Sequence, residues 1–275
     1  MSPNTGSTTR MAAVALAVTA LAACGDSLNV NDPRSVAVNF AVSTASAAMT
    51  SNGPAPVGPM NVAGDPLTIE GTNGTLIIEE IRLIVAEVEL DGEDDVCNDD
   101  LPATNDCADF EAPPRLLDLP LDGTPVEAFV GLIPPGTYEE LEFEIEDLED
   151  DEEDTEFAAE IADLRAAILL EFDNWPRKAT ALVVGSFTPE IGETSNFSVY
   201  IEAEIEIERE LVPPLVIGEG DANPDLRVDV RPDIWFKRSD GSVLELHLYD
   251  YVTTGRMLEF ELEMDDGFTF IEIEN

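Results

Sequence analysis

Most of this chain alternates between apolar and polar residues, the pattern of β-strands with one buried and one solvated face. The longest run extends from Phe197 to Glu208, with apolar side chains at odd positions and mostly glutamate at even ones. Two shorter runs, Glu140 to Glu146 and Leu258 to Glu263, repeat this glutamate ladder. These three segments predict strands whose outer faces are acidic.

Other apolar and alternating segments predict further strands, at residues 35–42, 67–72, 75–90, 126–132, 179–187, 226–230 and 243–249. The dipeptides Asn73-Gly74 and Asp266-Gly267 are typical of hairpin turns, because both tolerate the positive φ that tight turns require. Since the connections between the segments are short, we expect mainly antiparallel pairing.

One segment has helical spacing instead. Its apolar residues recur at intervals of four, three and four, at Phe157, Ile161, Leu164 and Ile168. An acidic run precedes it, where Asp154 or Thr155 can cap the first turn, and Pro176 follows its end. The pattern predicts one α-helix. The helix and the acidic connection before it form an insertion over residues 149–173.

The fold class predicted is therefore mainly β, an antiparallel β-sandwich with one inserted α-helix. It spans residues 34–275, either as one sandwich or as two halves, 34–148 and 177–275, on the two sides of the helix. A hydrophobic fraction of 44% is enough for a true core.

The turn Pro134-Pro135-Gly136-Thr137-Tyr138, together with the preceding Leu116-Leu117-Asp118-Leu119, resembles the pattern in uncharacterised bacterial lipoproteins with a prealbumin-like β-sandwich. The resemblance covers about residues 76–148. It implies a prealbumin- or Ig-like sandwich and no particular function, because such sandwiches serve many unrelated functions.

The N-terminus predicts export and a lipid anchor. An uncharged apolar run from Met11 to Ala23 follows Arg10 and is too short to span a membrane. With Leu21-Ala22-Ala23-Cys24 at its end, it resembles the signal peptide and lipobox of bacterial lipoproteins, which implies acylation of Cys24, with fatty chains such as palmitate. The alternative is ordinary cleavage after Ala20-Leu21-Ala22.

On the lipoprotein interpretation, residues 1–23 are a removed signal peptide and residues 24–33 a polar tether. Gly25 follows the cysteine where enteric lipoproteins retained in the inner membrane carry aspartate. We therefore expect a lipid-anchored protein of the cell envelope, at the outer membrane on its periplasmic or surface face.

The chain is strongly acidic, with 59 acidic and 13 basic residues and a net charge of −46. A field of this sign repels phosphate backbones, so nucleic acid is excluded as a partner, whereas divalent cations and basic proteins are not. Either a saline habitat, which screens the repulsion, or bound divalent cations would relieve it.

Cys97 and Cys107 form an even pair in an exported chain, which favours a disulfide over two free thiols. Acidic residues surround this pair and could form a calcium cage, at Asp91, Glu93, Asp95, Asp99, Asp100 and Asp106. The spacing is not that of an EF-hand, because Val96 stands where the loop needs glycine. Asp221, Asn223 and Asp225 fail in the same way, and solvated acidic loops are the default interpretation.

Catalytic chemistry has little support. His247 is the single histidine, which excludes multi-histidine metal sites, and its place between Leu246 and Leu248 predicts a half-exposed strand residue. We expect a non-catalytic structural or binding module without a cofactor, other than calcium if it binds. A calcium-dependent recognition or adhesion domain is the alternative, and a carboxylate-dependent hydrolase is the third hypothesis.

Overall fold

The computed structural model describes residues 34–43, 66–92, 110–148, 157–218, 223–260 and 262–274. Strands dominate this part of the chain, which confirms the prediction of a mainly β fold. The strands are β1 (Arg34–Val42), β2 (Leu67–Gly71), β3 (Gly74–Val85), β4 (Glu87–Gly92), β5 (Phe110–Ala112), β6 (Arg115–Asp118), β7 (Val126–Ile133), β8 (Gly136–Ile145), β9 (Ala181–Pro189), β10 (Ser195–Glu202), β11 (Ile205–Ile217), β12 (Asp225–Val230), β13 (Leu258–Glu259) and β14 (Phe268–Glu274).

The strands form three sheets. Sheet A has the order β14-β12-β1-β7, sheet B the order β13-β10-β9-β3-β2 with β6 also on β3, and sheet C the order β11-β8-β4-β5. Pairing is antiparallel, as expected, apart from the parallel pairs β1–β12 and β10–β13. These two pairs join strands that are distant in sequence, so short connections do not govern them.

Sheets A and C pack face to face. Phe40 of β1 meets Phe143 of β8 edge to face at 5.1 Å between ring centroids, and Phe268 of β14 meets Phe143 at 5.2 Å. All three rings are buried in one large apolar cluster to which the three sheets contribute. The alternate residues of β1 and β8 therefore point to opposite outer surfaces of this sandwich.

Two predicted long strands divide between sheets. The run 75–90 breaks at Ala86 into β3 of sheet B and β4 of sheet C, and the run Phe197 to Glu208 breaks at Ala203-Glu204 into β10 of sheet B and β11 of sheet C. The alternation continues through the second break, with Ala203 still buried, but shifts by one residue at the first, between buried Val85 and buried Val88. Periodicity alone could not show that the partner strand changes there.

Two predicted strands are wrong. From Leu258 only two residues pair, because β10 ends at Glu202, and the chain then turns into a short helix α4 (Leu262–Asp265). The segment 243–249 contributes one bridge, Lys237 to Val243, and then a 3₁₀ helix, Leu246–Tyr249.

The two predicted hairpin turns differ in outcome. Asn73-Gly74 joins β2 to β3 as expected. Asp266-Gly267 instead connects α4 to β14, which pairs with β12 and not with β13. Gly267 has a packing reason, since a Cβ there would lie 1.8 Å from Nε1 of Trp235.

The predicted long helix is present as α1 (Ala158–Glu171). It begins after Phe157 without a side-chain cap, and the expected caps Asp154 and Thr155 lie outside the described residues. Ile168 is buried against Ile84 and Leu148, so the helix covers one edge of sheet B. Three short helices accompany it, α2 (Pro232–Phe236), α3 (Tyr251–Thr254) and α4. Among the described residues, no helix has the length and apolarity needed to cross a membrane.

Candidate functional site: the carboxylate face of sheet C

The outer surface of sheet C carries a dense arrangement of acidic side chains. Leu90, Leu141 and Phe143 point into the core and are at most 1% exposed. Because strand side chains alternate, the residues between them point outward, and in β4, β8 and β11 most of these are acidic. We call this surface the carboxylate face.

The strand register arranges these side chains in three rows, each running across β4, β8 and β11. The rows are Glu87–Glu144–Glu206, Glu89–Glu142–Glu208 and Asp91–Glu140–Glu210. Neighbouring strands are about 4.8 Å apart, so each row brings three carboxylates close together. Like charges directly opposite one another destabilise a sheet, and this face therefore costs the fold free energy.

Three of these carboxylates form a tight group. Glu142, Glu144 and Glu206 each offer an oxygen atom, and these atoms lie within 4.8 Å of one another. Glu142 and Glu144 are partly buried, whereas Glu206 is exposed.

The pKa values of this group are shifted upward. Burial raises the pKa of Glu142 to about 7, with added repulsion from Glu206 and a hydrogen bond shared with that residue. Burial also raises the pKa of Glu144 to about 7, with repulsion from Glu87 and Glu146. In the next row, burial and then the charge of Glu208 raise the pKa of Glu140. Glu142 and Glu144 therefore hold protons at a pH where free glutamate is ionised.

A shallow depression adjoins the group. It has a volume of about 230 Å³ and is lined by Glu144, Glu146, Glu204, Ile205 and Glu206. Carboxylate oxygens are the ligands that calcium prefers, and bidentate carboxylates supply two each. The group could therefore contribute up to six of the six to eight oxygens that calcium takes.

The basic residue of β11 turns away from this face. Arg209 is opposite Leu141 in the register, on the inner side. It donates to Oδ1 of Asp265 at 2.8 Å and to the carbonyl oxygen of Phe268 at 3.1 Å. Its charge therefore ties β11 to α4 and β14.

Only part of the predicted calcium site falls within the described residues. Asp91 lies on β4 in the third row of the carboxylate face. Outside the described residues are Glu93, Asp95, Asp99, Asp100, Asp106 and Asp221, as are the predicted disulfide pair Cys97 and Cys107 and the predicted lipidation site Cys24. Asp225, from the second candidate motif, is a strand residue opposite Ala37.

The alternation of the sequence indicated the glutamates of residues 140–146 and 197–208 as outward-facing, but it did not predict the group Glu142, Glu144 and Glu206. The ladders in residues 140–146 and 197–208 indicated acidic strand faces. The missing information was that β8 and β11 are neighbours, with Glu144 opposite Glu206. That pairing follows from tertiary structure.

His247 is not in a strand as predicted, because the chain forms the 3₁₀ helix there. Its ring stacks on Phe187 at 5.0 Å between centroids, with 3° between the ring planes. Nδ1 is buried and has no hydrogen-bond partner. The His247 ring therefore packs the 3₁₀ helix against β9 through Phe187.

The chain matches no protein-family model and no curated protein. A solved structure, MbnP from Methylosinus trichosporium, aligns with 76% of this chain and 80% of its own, at 15% identity and a TM-score of 0.35. At that score the likeness does not bear on function.

Proposed function

We propose that this chain is a lipid-anchored, non-catalytic binding module of the cell envelope, and that the carboxylate face of sheet C binds its cationic ligands. The observation that carries the binding part is the register of β4, β8 and β11, which assembles nine carboxylates in three rows. A cation bound in a row reduces the repulsion between its carboxylates, so cation binding should also stabilise the fold.

The anchoring part rests on the N-terminal sequence. Acylation of Cys24 would fasten the chain to the membrane, since two or three acyl chains hold a protein firmly where one does not. The Gly25 that follows supports the outer membrane as the location. Intact mass spectrometry of the mature protein from its native host tests this part. A mass for residues 24–275 plus acyl chains supports it, and an unmodified Cys24 contradicts it.

For the depression of the carboxylate face we propose binding and not catalysis. The depression is lined by four glutamates and Ile205, with no aromatic ring, histidine or hydroxyl nucleophile in its lining. Glycosidases use carboxylate pairs too, but they hold the sugar in a cleft that fixes its position.

A calcium-dependent recognition domain is the second candidate, favoured by the 4.8 Å grouping of Glu142, Glu144 and Glu206. Calorimetric titration with CaCl₂, and thermal denaturation in CaCl₂ against NaCl of equal ionic strength, test it. A ligand that binds the folded state at 100 times its Kd adds about 2.7 kcal/mol of stability.

The variant Glu142→Gln/Glu144→Gln/Glu206→Gln should lose this calcium response. Its matched control is Glu70→Gln/Glu127→Gln/Glu193→Gln, which removes three exposed carboxylates from other surfaces. If the control loses the response equally, or if NaCl reproduces it in the unsubstituted protein, the calcium site is refuted.

A further inference from the structure

The outer surface of sheet A has an uncharged strip along the pair β1–β7. Ala37 is opposite Val130 and Ser35 is opposite Leu132, and the four side chains point away from the core. Val130 is 44% exposed and Leu132 is 64% exposed. We call these four residues the uncharged margin. It ends at Glu127 on β7 and at Asp225 on β12.

The uncharged margin and the carboxylate face lie on opposite sides of the molecule. Phe40 of β1 and Phe143 of β8 touch through the inner faces of sheets A and C. Ala37 belongs to the outer face of the first sheet and Glu142 to the outer face of the second. A surface that contacts the margin therefore has the carboxylates pointing away from it.

The margin begins where the predicted tether ends. Arg34, the first residue of β1, is opposite Ile133, one position before the pair Ser35–Leu132. Ten residues separate Cys24 from this point, counting Cys24 itself. Ten residues span at most about 35 Å when fully extended. A lipid anchor at Cys24 thus keeps the margin within reach of the bilayer.

Repulsion from anionic headgroups favours the least acidic side of the protein facing the lipid. Anionic headgroups repel an acidic surface over a Debye length of about 10 Å at 0.1 M salt. The carboxylate face is repelled most, because its nine acidic side chains lie in three adjoining rows. The margin is repelled less, because it offers two exposed aliphatic side chains with Arg34 beside them and is bordered by Glu127 and Asp225.

We propose that the uncharged margin is the membrane-contacting surface of the protein, seated on the lipid bilayer that holds Cys24. This inference rests on the lipid anchoring given under the proposed function, and it adds an orientation. With the margin on the lipid, the carboxylate face is presented to the solution, where cationic ligands reach it without crossing the headgroup region.

Tryptophan fluorescence in vesicles of brominated phosphatidylcholine and phosphatidylglycerol tests this orientation, with the acylated full-length mature chain. Leu132→Trp places a reporter in the margin. Val216→Trp is the matched control, because Val216 is 61% exposed on the outer face of sheet C. The native Trp175 and Trp235 give a background that the unsubstituted protein measures. Val130→Trp is a second reporter in case the first variant folds poorly by circular dichroism.

We expect the emission of the residue-132 reporter to be largely lost on brominated vesicles and that of the residue-216 reporter to be retained. Equal quenching at the two positions, or stronger quenching at 216, overturns the proposed orientation. Flotation of the same vesicles separates the two hypotheses. Protein that floats without quenching at 132 contradicts only the orientation, whereas acylated protein that fails to float contradicts both the anchor and the orientation.

Discussion

Neutralising the centre of the carboxylate face should stabilise the fold at high pH and not at low pH. The variant is Glu142→Gln/Glu144→Gln, which keeps the side-chain shapes and removes two titrating groups. In the folded protein the pKa of each of these carboxyls is about 7, against 4.5 for an ordinary glutamate. Between these values the folded state binds more protons than the unfolded state, so the free energy of unfolding falls as the pH rises.

The magnitude follows from the size of the shift. One pKa unit corresponds to about 1.4 kcal/mol, so a move from 4.5 to about 7 would correspond to roughly 3 kcal/mol per group if nothing screened it. Both carboxyls remain in contact with solvent, and screening reduces this to about 1 kcal/mol each. The double variant should therefore gain about 2 kcal/mol above pH 7, which is about 4–8 °C in Tm for a domain of this size.

Urea denaturation at pH 5, 6, 7 and 8 in 0.1 M NaCl measures this directly. We expect the difference in unfolding free energy between variant and unsubstituted protein to grow from near zero at pH 4.5–5 to its full value above pH 7. The control variant Glu70→Gln/Glu193→Gln removes two exposed carboxylates away from sheet C and should follow the unsubstituted protein. A double variant whose stability changes with pH as steeply as the unsubstituted protein refutes the account of the carboxylate face.

Three further predictions concern packing, an unpaired atom and salt. Gly267→Ala should destabilise the fold by about 3 kcal/mol in urea denaturation, because its Cβ would displace Trp235. That displacement breaks the hydrogen bond that Nε1 of Trp235 donates to the carbonyl oxygen of Met264 at 2.8 Å. The control variant Gly92→Ala should be close to neutral, because the atom nearest to its added Cβ is 3.9 Å away. His247→Phe should stabilise by about 1 kcal/mol, since it removes the buried unpaired Nδ1 and keeps a ring on Phe187; a loss of stability would show that Nδ1 is satisfied in solution. Raising NaCl from about 0.1 M to 1 M shortens the Debye length from about 10 Å to 3 Å and should raise Tm more for the unsubstituted protein than for Glu142→Gln/Glu144→Gln.

The sequence indicated most of the long strands, but not their partners, and it did not indicate β5, β6 or β14. Alternation located β12 closely, because it lies between the core and solvent along its whole length. For β8 it located the part from Glu140 to Ile145 and missed the beginning at Gly136, where the buried residues Tyr138 and Leu141 are three positions apart. It failed from Leu258 to Glu263, where the neighbouring strand β10 ends and the chain can no longer pair. A strand needs a partner as well as a pattern, and the partner is a property of the whole fold.

The same distinction applies to the functional site. The glutamates of β8, and Glu206 and Glu208 of β11, were visible as polar positions in ladders, and a chain with 59 acidic residues contains many such positions. Only the antiparallel register brings Glu206 opposite Glu144 and close to Glu142. The predicted calcium loop was chosen by local density of acids, a criterion that cannot detect groups assembled from separate strands.

Repulsion spread over the whole acidic surface and a specific cation site on the carboxylate face respond differently to monovalent salt and to a divalent cation. The chain has only two lysines, Lys178 and Lys237, so repulsion is widespread and any salt should relieve it. The group Glu142, Glu144 and Glu206 differs because two of its carboxyls, those of Glu142 and Glu144, are partly buried and lie beside other glutamates of the sheet. A monovalent salt lowers the average repulsion, whereas a divalent cation can replace a shared proton and bridge oxygens that already lie within 4.8 Å. A calcium response that persists in 1 M NaCl would therefore identify a built site, because by then the general repulsion is screened.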